Sequence, residues 1–165
     1  MSSVLGGQRA YVVEVTRQEP YAYRHDAAVP AFDDALPIII FDGKCVLCSH
    51  FATFVIRHDR RRRLRLLAAQ TPLGEAIYRH FGLRFDDFDT YVLLENGDVR
   101  VKSDAALRIF SRLGLPWSLL AVGRVLPRSW RDALYDFVAR NRVRWFGVRD
   151  TCYVPSAADA ERFVQ

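Results

Sequence analysis

Two cysteines separated by a dipeptide, Cys45 and Cys48, close the stretch Phe41-Asp42-Gly43-Lys44-Cys45-Val46-Leu47-Cys48, which follows the apolar run Ile38-Ile39-Ile40. A β-branched run, a glycine turn and then a helical pattern put the first thiol at a helix N-terminus. Unpaired backbone N–H groups and the helix dipole there favour thiolate over thiol. The spacing i to i+3 makes closure of an intramolecular disulfide sterically feasible. Thiol–disulfide exchange is the chemistry this pattern indicates, and a metal or cluster site built on the same sulfurs is its main rival.

In the exchange reading Cys45 is the nucleophile, its pKa lowered by the helix start and by the neighbouring Lys44 ammonium. Cys48, one turn later, is expected to be more buried and to resolve the mixed disulfide. Asp42 has two readings: proton acceptor for Cys48, or turn and capping residue of an Asp-Gly turn. Ionised and close to Cys45, it would also oppose thiolate formation. Gly43 provides a permissive turn and close access to the thiols. In the rival reading one Cys-x-x-Cys supplies half of a four-ligand site, and His50, Cys152 or a second protomer would have to complete it. Cys152 is open to three assignments: a third redox thiol, a metal ligand, or a buried free cysteine. His50 and His58 fall away from the apolar stripe of their helix and read as solvated.

The elements that must position these groups follow from periodicity. Residues 38–41 form a continuous apolar run of the kind buried on both sheet faces. Phe51, Ala52, Val55 and Ile56 recur at helical spacing and predict a helix over 45–58. A second strand is expected at 64–69. Thr71 caps the next helix, with Pro72 in its first turn and Gly82 as its stop. Residues 91–95 and 99–102 flank Asn96-Gly97-Asp98 as a hairpin. Ser103 is expected to cap a helix whose Ala106, Leu107, Phe110 and Leu113 share a face. This order describes a mixed four-stranded sheet flanked by helices, an α/β topology of the thioredoxin or glutaredoxin type. Beyond it Pro127 introduces a helix with Trp130, Ala133, Leu134, Phe137 and Val138 inward, and Trp145 and Phe146 read as core or groove-lining aromatics. Ser156 and Asp159 start a short terminal helix. These extra C-terminal helices belong to one domain spanning residues 37–165. Residues 1–36 read as an extension, partly ordered at best, with a possible strand over 11–16.

Composition narrows the function classes. The chain has 165 residues, half of them apolar, enough for a core without staples. Three cysteines, an odd number, do not suggest a secreted disulfide framework, and no signal peptide is expected at the start. The net charge of +5 is carried almost wholly by arginine, only Lys44 and Lys102 being lysines. Arg60-Arg61-Arg62-Arg63 follows a helix end, where cations complement the dipole, and no aromatic-rich nucleic-acid signature accompanies it. Residues 113–126 are apolar, but the stretch is short and holds Pro116 and Arg124. It reads as a buried or interfacial segment and not as a membrane span.

The stretch 42–48 resembles the Asp-x-x-Cys-x-x-Cys motif of the DCC family of predicted thiol-disulfide oxidoreductases. Ser103-Asp104-Ala105-Ala106-Leu107, Asn141-Arg142-Val143-Arg144-Trp145-Phe146-Gly147 and Cys152 are similar to further segments of that family. The resemblance implies a thioredoxin-like fold and a redox role. A thioredoxin normally places a cis-proline just before its third strand, facing the active disulfide. Here that stretch is Asp86-Asp87-Phe88-Asp89-Thr90, without proline, so Thr90 takes the place and leaves room for a metal or cluster beside the thiols. The expectation is a cytoplasmic dithiol–disulfide oxidoreductase that requires no bound organic cofactor. Its partners would be a disulfide- or dithiol-containing protein or small thiol and an electron donor, with no nucleic acid and no membrane span. A metal or iron–sulfur binding module, or an interaction domain with incidental cysteines, is the alternative.

Overall fold

The computed structural model describes residues 15–84 and 90–164. Among them β1 (Ile38–Phe41), β2 (Arg65–Ala68), β3 (Val92–Glu95) and β4 (Asp98–Val101) form one mixed sheet in the order β2-β1-β3-β4. β1 runs parallel to β2, with Phe41 opposite Ala68, and antiparallel to β3, with Ile39 opposite Leu93. A parallel pair needs a crossover, and α1 (Val46–His58) supplies it. α2 (Pro72–His80) follows β2, and α3 (Lys102–Arg112) follows the β3–β4 hairpin. This is a thioredoxin-like α/β fold, as the sequence predicts.

The burial pattern explains why the strands read as they do. All four residues of β1 and of β3 are buried, because these central strands are covered on both faces, whereas the edge strand β4 alternates exposed and buried. Ile38 and Ile40 pack on one side with Ile77 and Tyr78, and Ile39 packs on the other with Val55 and Ile109. Asn96 and Gly97 both take positive φ, 53° and 78°, as a two-residue hairpin turn requires. The Thr71 hydroxyl accepts the Gly74 N–H at 3.1 Å, so the expected cap of α2 forms. From Val15 on, the N-terminal extension packs against α2, with Tyr23 and Val29 buried in the core. The strand expected over 11–16 lies mostly outside the described residues, and Val15 and Thr16 are irregular.

Several expectations are corrected after β4. Ser103 does not cap α3: the N-cap position is Val101, and the Ser103 hydroxyl donates instead to Asp132. Of the two readings of residues 113–126, buried or interfacial, the buried one does not hold. Leu113 is buried, and Trp117 packs edge-on to Phe54 at 4.8 Å, but Leu119, Leu120, Val122 and Val125 of the 3₁₀ stretch Trp117–Val125 are exposed. The long helix α4 (Arg128–Phe146) is turned opposite to the expected way. Trp130 is 70% and Leu134 67% exposed, Ala133 and Phe137 are exposed too, and of the expected inward set only Val138 is half-buried. Trp145 and Phe146 are likewise exposed. The inner side is polar: Asp132 meets Ser103, Asp136 pairs with Lys102 Nζ at 2.9 Å, and the Tyr135 hydroxyl accepts the Tyr91 N–H at 2.9 Å. These bonds to α3 and β3 fix the rotation of α4 about its axis, and the apolar stripe is left outside. His58 is also not solvated. Its Nδ1 lies 2.8 Å from the Phe54 carbonyl and its ring packs between Phe54 and Trp117. Ser156 and Asp159 are hydrogen-bonded at 2.6 Å, but they lead into only a 3₁₀ turn at Ala160–Arg162.

Candidate active site

The dithiol sits where β1 ends and α1 begins. Asp42 makes an Asx turn, its Oδ1 accepting the Lys44 N–H at 2.9 Å, which redirects the chain from strand to helix. Cys45 is the N-cap of α1 in extended conformation, and its Sγ accepts the Cys48 N–H at 3.3 Å. A sulfur thus fills the place of a capping oxygen, so the helix start holds the sulfur and favours its anionic form.

The two thiols titrate in opposite directions. Cys45 is lowered from 9.0 to about 6, first because the Cys48 thiol donates to it, then through the Cys48 N–H and the Arg142 guanidinium. Burial and the Asp42 carboxylate work the other way. Cys48 is raised, because its proton is held by Cys45 and because it is buried. The reduced site is therefore a Cys45 thiolate accepting a hydrogen bond from a Cys48 thiol. The cation behind this is Arg142, 3.6 Å from Asp42 Oδ2 and buried, whereas Lys44 is exposed.

Both sulfur-bearing residues are buried, Cys45 at 0% and Cys48 at 4%. The reason is the chain after α4. Val148 bridges Cys45, the Arg149 N–H donates to the Lys44 carbonyl at 2.8 Å, and the Tyr153 N–H donates to the Gly43 carbonyl at 2.8 Å. Residues 147–153 lie as a strap over the loop. A cavity of about 60 Å³ reaches the site from the other side, lined by Asp42, Cys48, Thr90, Tyr91 and, from α4, Tyr135 and Arg142. Cys45 is not among its lining residues. Thr90 is buried, and its carbonyl accepts the Tyr78 hydroxyl at 2.9 Å.

Gly43 is required here by close approach. A Cβ on it would stand 2.3 Å from Cys152 Sγ and 3.2 Å from Gln70 Oε1. Cys152 is half-buried, its thiol 3.6 Å from Gln70 Oε1 and raised in pKa by burial. Among the described residues no three His, Cys, Asp or Glu side chains converge as a metal site, and His50 is exposed.

Two contributors were not singled out from the sequence. Gln70 accepts the Gly43 N–H at 2.9 Å and donates to Asp42 Oδ1 at 2.6 Å, tying the turn together. The strand register could have found it: Phe41 lies opposite Ala68, so the residue two beyond Ala68 falls beside Gly43. Arg142 lies in the family-like segment Asn141–Gly147, but the apolar pattern of α4 points to the opposite face and gives it no role.

The DCC1-like thiol-disulfide oxidoreductase family model matches residues 39–148. A Bacillus subtilis (strain 168) protein, "Uncharacterized protein YuxK", is 35% identical over 127 residues, covering 77% of this chain and 93% of its own length. An Arabidopsis thaliana protein, "DCC family protein At1g52590, chloroplastic", is 40% identical over 121 residues, covering 73% of this chain and 70% of its own. No solved structure matches significantly.

Proposed function

The chain belongs to the DCC1-like thiol-disulfide oxidoreductase family, and on that premise we propose that it catalyses dithiol–disulfide exchange through Cys45 and Cys48. The observation that carries this reading is the capped sulfur: Cys45 Sγ accepts the Cys48 N–H at 3.3 Å, and its pKa is lowered to about 6. At neutral pH the nucleophile is then already ionised.

The Cys45 thiolate attacks one sulfur of a substrate disulfide along the S–S axis. That bond breaks, the second substrate sulfur leaves as a thiolate, and a mixed disulfide joins Cys45 to the substrate. With the Cys45 charge gone, the hydrogen bond that raised Cys48 is lost, and Cys48 gives up its proton. Asp42, which shares the cavity with Cys48, is the acceptor in this scheme. Cys48 then attacks Cys45 Sγ, the substrate leaves as a second thiol, and a Cys45–Cys48 disulfide remains. An external dithiol donor restores the pair. The same steps run backwards oxidise a client. Arg142 keeps the Cys45 charge favourable in a buried setting, Gly43 lets the strap close over the loop, and Thr90 forms the wall beside Cys48. Lys44 serves through its backbone N–H. Attack on a substrate disulfide, large or small, requires the 147–153 strap to move off Cys45, because the cavity beside Cys48 is not lined by Cys45. Substrates of both sizes, a disulfide- or dithiol-containing protein or a small thiol, fit this scheme, in a reducing compartment such as the cytoplasm.

The test is the pH dependence of alkylation at each cysteine, read by mass spectrometry on reduced protein. Cys45 should titrate near pH 6 and Cys48 should stay unreactive until Cys45 is blocked. Ordinary titration of both thiols would remove the proposal's physical basis.

A further inference from the structure

The largest feature the dithiol chemistry leaves unused is the outer face of the C-terminal half. On α4, Trp130, Leu134, Phe137 and Trp145 recur at helical spacing on the side opposite Tyr135, Ala139 and Arg142, and Phe137 and Trp145 touch at 5.5 Å between ring centroids. Just before it, Leu119, Leu120, Val122, Val125 and Leu126 are exposed as well, with Val125 at 83%. A run of large apolar side chains this dense is not left in water without a partner.

The charge around it says which partner. Residues 113–149 carry seven arginines and two acidic residues, Asp132 and Asp136, a balance equal to the net charge of the whole chain. Both aspartates are engaged toward α3, on Ser103 and Lys102. Arg124, Arg140 and Arg144 are exposed among the apolar residues, while Arg128 pairs with Asp132 at 3.4 Å. A second copy of this chain fits such a face badly, because a two-fold interface sets the same patch against itself and brings arginines against arginines. An anionic bilayer fits on both counts. Leucine and valine enter the acyl boundary, tryptophan settles at headgroup depth, and arginine reaches from an apolar stem to lipid phosphate. Among the described residues no helix is long and apolar enough to cross a membrane, so the mode is adsorption along the surface.

We propose that the exposed apolar face of Trp117–Val125 and α4, with its arginines, docks on the surface of an anionic lipid bilayer. The helix then lies in the interface with its polar side upward. Tyr135 and Arg142 line the dithiol cavity from that upper side, which holds the cavity about one helix diameter, roughly 10 Å, above the lipid. Substrates presented at the membrane surface are the ones this geometry favours.

The experiment titrates the full chain with vesicles of phosphatidylglycerol and phosphatidylcholine, and with phosphatidylcholine alone. Co-sedimentation with the anionic vesicles is expected, weakened by salt, and absent or slight with the neutral ones. Tryptophan emission should shift to the blue and be quenched by lipid brominated in the acyl chain. Leu134→Ser with Phe137→Ser removes exposed side chains only, and should weaken binding at least about tenfold. Arg140→Gln with Arg144→Gln should weaken it about fivefold per arginine. Should the serine variant fold poorly, quenching of the wild-type tryptophans by brominated lipid still reads insertion. The proposal is overturned if the wild type ignores anionic vesicles, or if the folded serine variant binds them as well as the wild type. It is equally overturned if the face closes as a concentration-dependent dimer that the same serines abolish.

Discussion

The loop 42–48 and the segment 135–153 meet at the same two sulfurs, yet they are held there by different physics. The loop is a local construction. Its turn, its cap and its thiol contact join residues two or three positions apart, with Gln70 as a distant brace. The later segment is positioned only by tertiary bonds: Tyr135 to β3, Arg142 to Asp42, and the strap by backbone bonds to residues 43–46. The loop thus decides what the sulfurs are and most of how charged Cys45 becomes, and the segment adds the Arg142 cation and decides what reaches them.

Breaking the loop should have the largest effect. Cys45→Ser is expected to abolish turnover of a model disulfide, and Cys48→Ser to leave a mixed disulfide that accumulates and can be isolated by mass spectrometry. Full activity of the Cys45→Ser protein would remove the loop from the chemistry altogether.

Next comes the cation that the segment supplies. Arg142→Leu leaves the buried Asp42 carboxylate without it, and loss of one partner of a buried pair costs about 3 kcal/mol. Cys45 should then titrate higher, and its alkylation at pH 7 should slow. Arg142→Lys should restore part of the shift. Lys44→Ala should change neither, since its side chain is exposed. Stability follows the same sign. The folded Cys45 pKa of about 6 lies below its unfolded value, so the thiolate's contribution is complete above about 9 and is lost as pH falls through 6. Relative to Cys45→Ser, the reduced protein should gain stability from pH 6 to 9, and Arg142→Leu should shrink that gain. Above that window the raised Cys48 opposes it, because an unfolded thiol ionises more readily there.

This division also explains what was legible beforehand. The strands, the hairpin, the Thr71 cap and the helix that begins at the dithiol all rest on periodicity or on contacts a few residues apart, and each forms where the sequence puts it. The rotation of α4 is different. Its apolar stripe at Trp130, Leu134 and Phe137 is as regular as that of a core helix, but Asp132, Tyr135, Asp136 and Arg142 find partners on α3, β3 and the site loop and turn the stripe outward. Periodicity reports that a helix has two faces; it does not report which one the core can satisfy. The burial of Cys45 escaped notice for a related reason, since the strap that covers it lies about a hundred residues away in sequence.

The strap offers an intermediate test. Gly147, at φ 81° and ψ −179°, sits in a backbone region essentially reserved for glycine and lets the chain leave α4 for the loop. Nothing lies within 4 Å of a Cβ built there, so Gly147→Ala tests backbone strain alone. It should cost about 1–3 kcal/mol, concentrated in the strap. Cys45 should become easier to alkylate while its pKa holds near 6, because the Cys48 thiol, the Cys48 N–H and Arg142 remain. An unchanged rate would mean that reagents reach Cys45 by another path.

The smallest effect separates two hydroxyls that look alike in sequence. Thr71 accepts its helix's own N–H at Gly74, so Thr71→Ala should cost about 1 kcal/mol as an ordinary lost cap. Ser103 instead joins α3 to Asp132 on α4. Its loss should cost a similar amount in a thermal melt and be coupled to α4. In a double-mutant cycle, Ser103→Ala and Asp132→Ala should be non-additive by at least about 0.5 kcal/mol, and Thr71→Ala with Asp132→Ala additive. Additivity in both cycles would mean that Ser103 does not help to set the rotation of α4. The orientation of Arg142 toward the dithiol would then rest on other contacts, Lys102–Asp136 and Tyr91–Tyr135 among them.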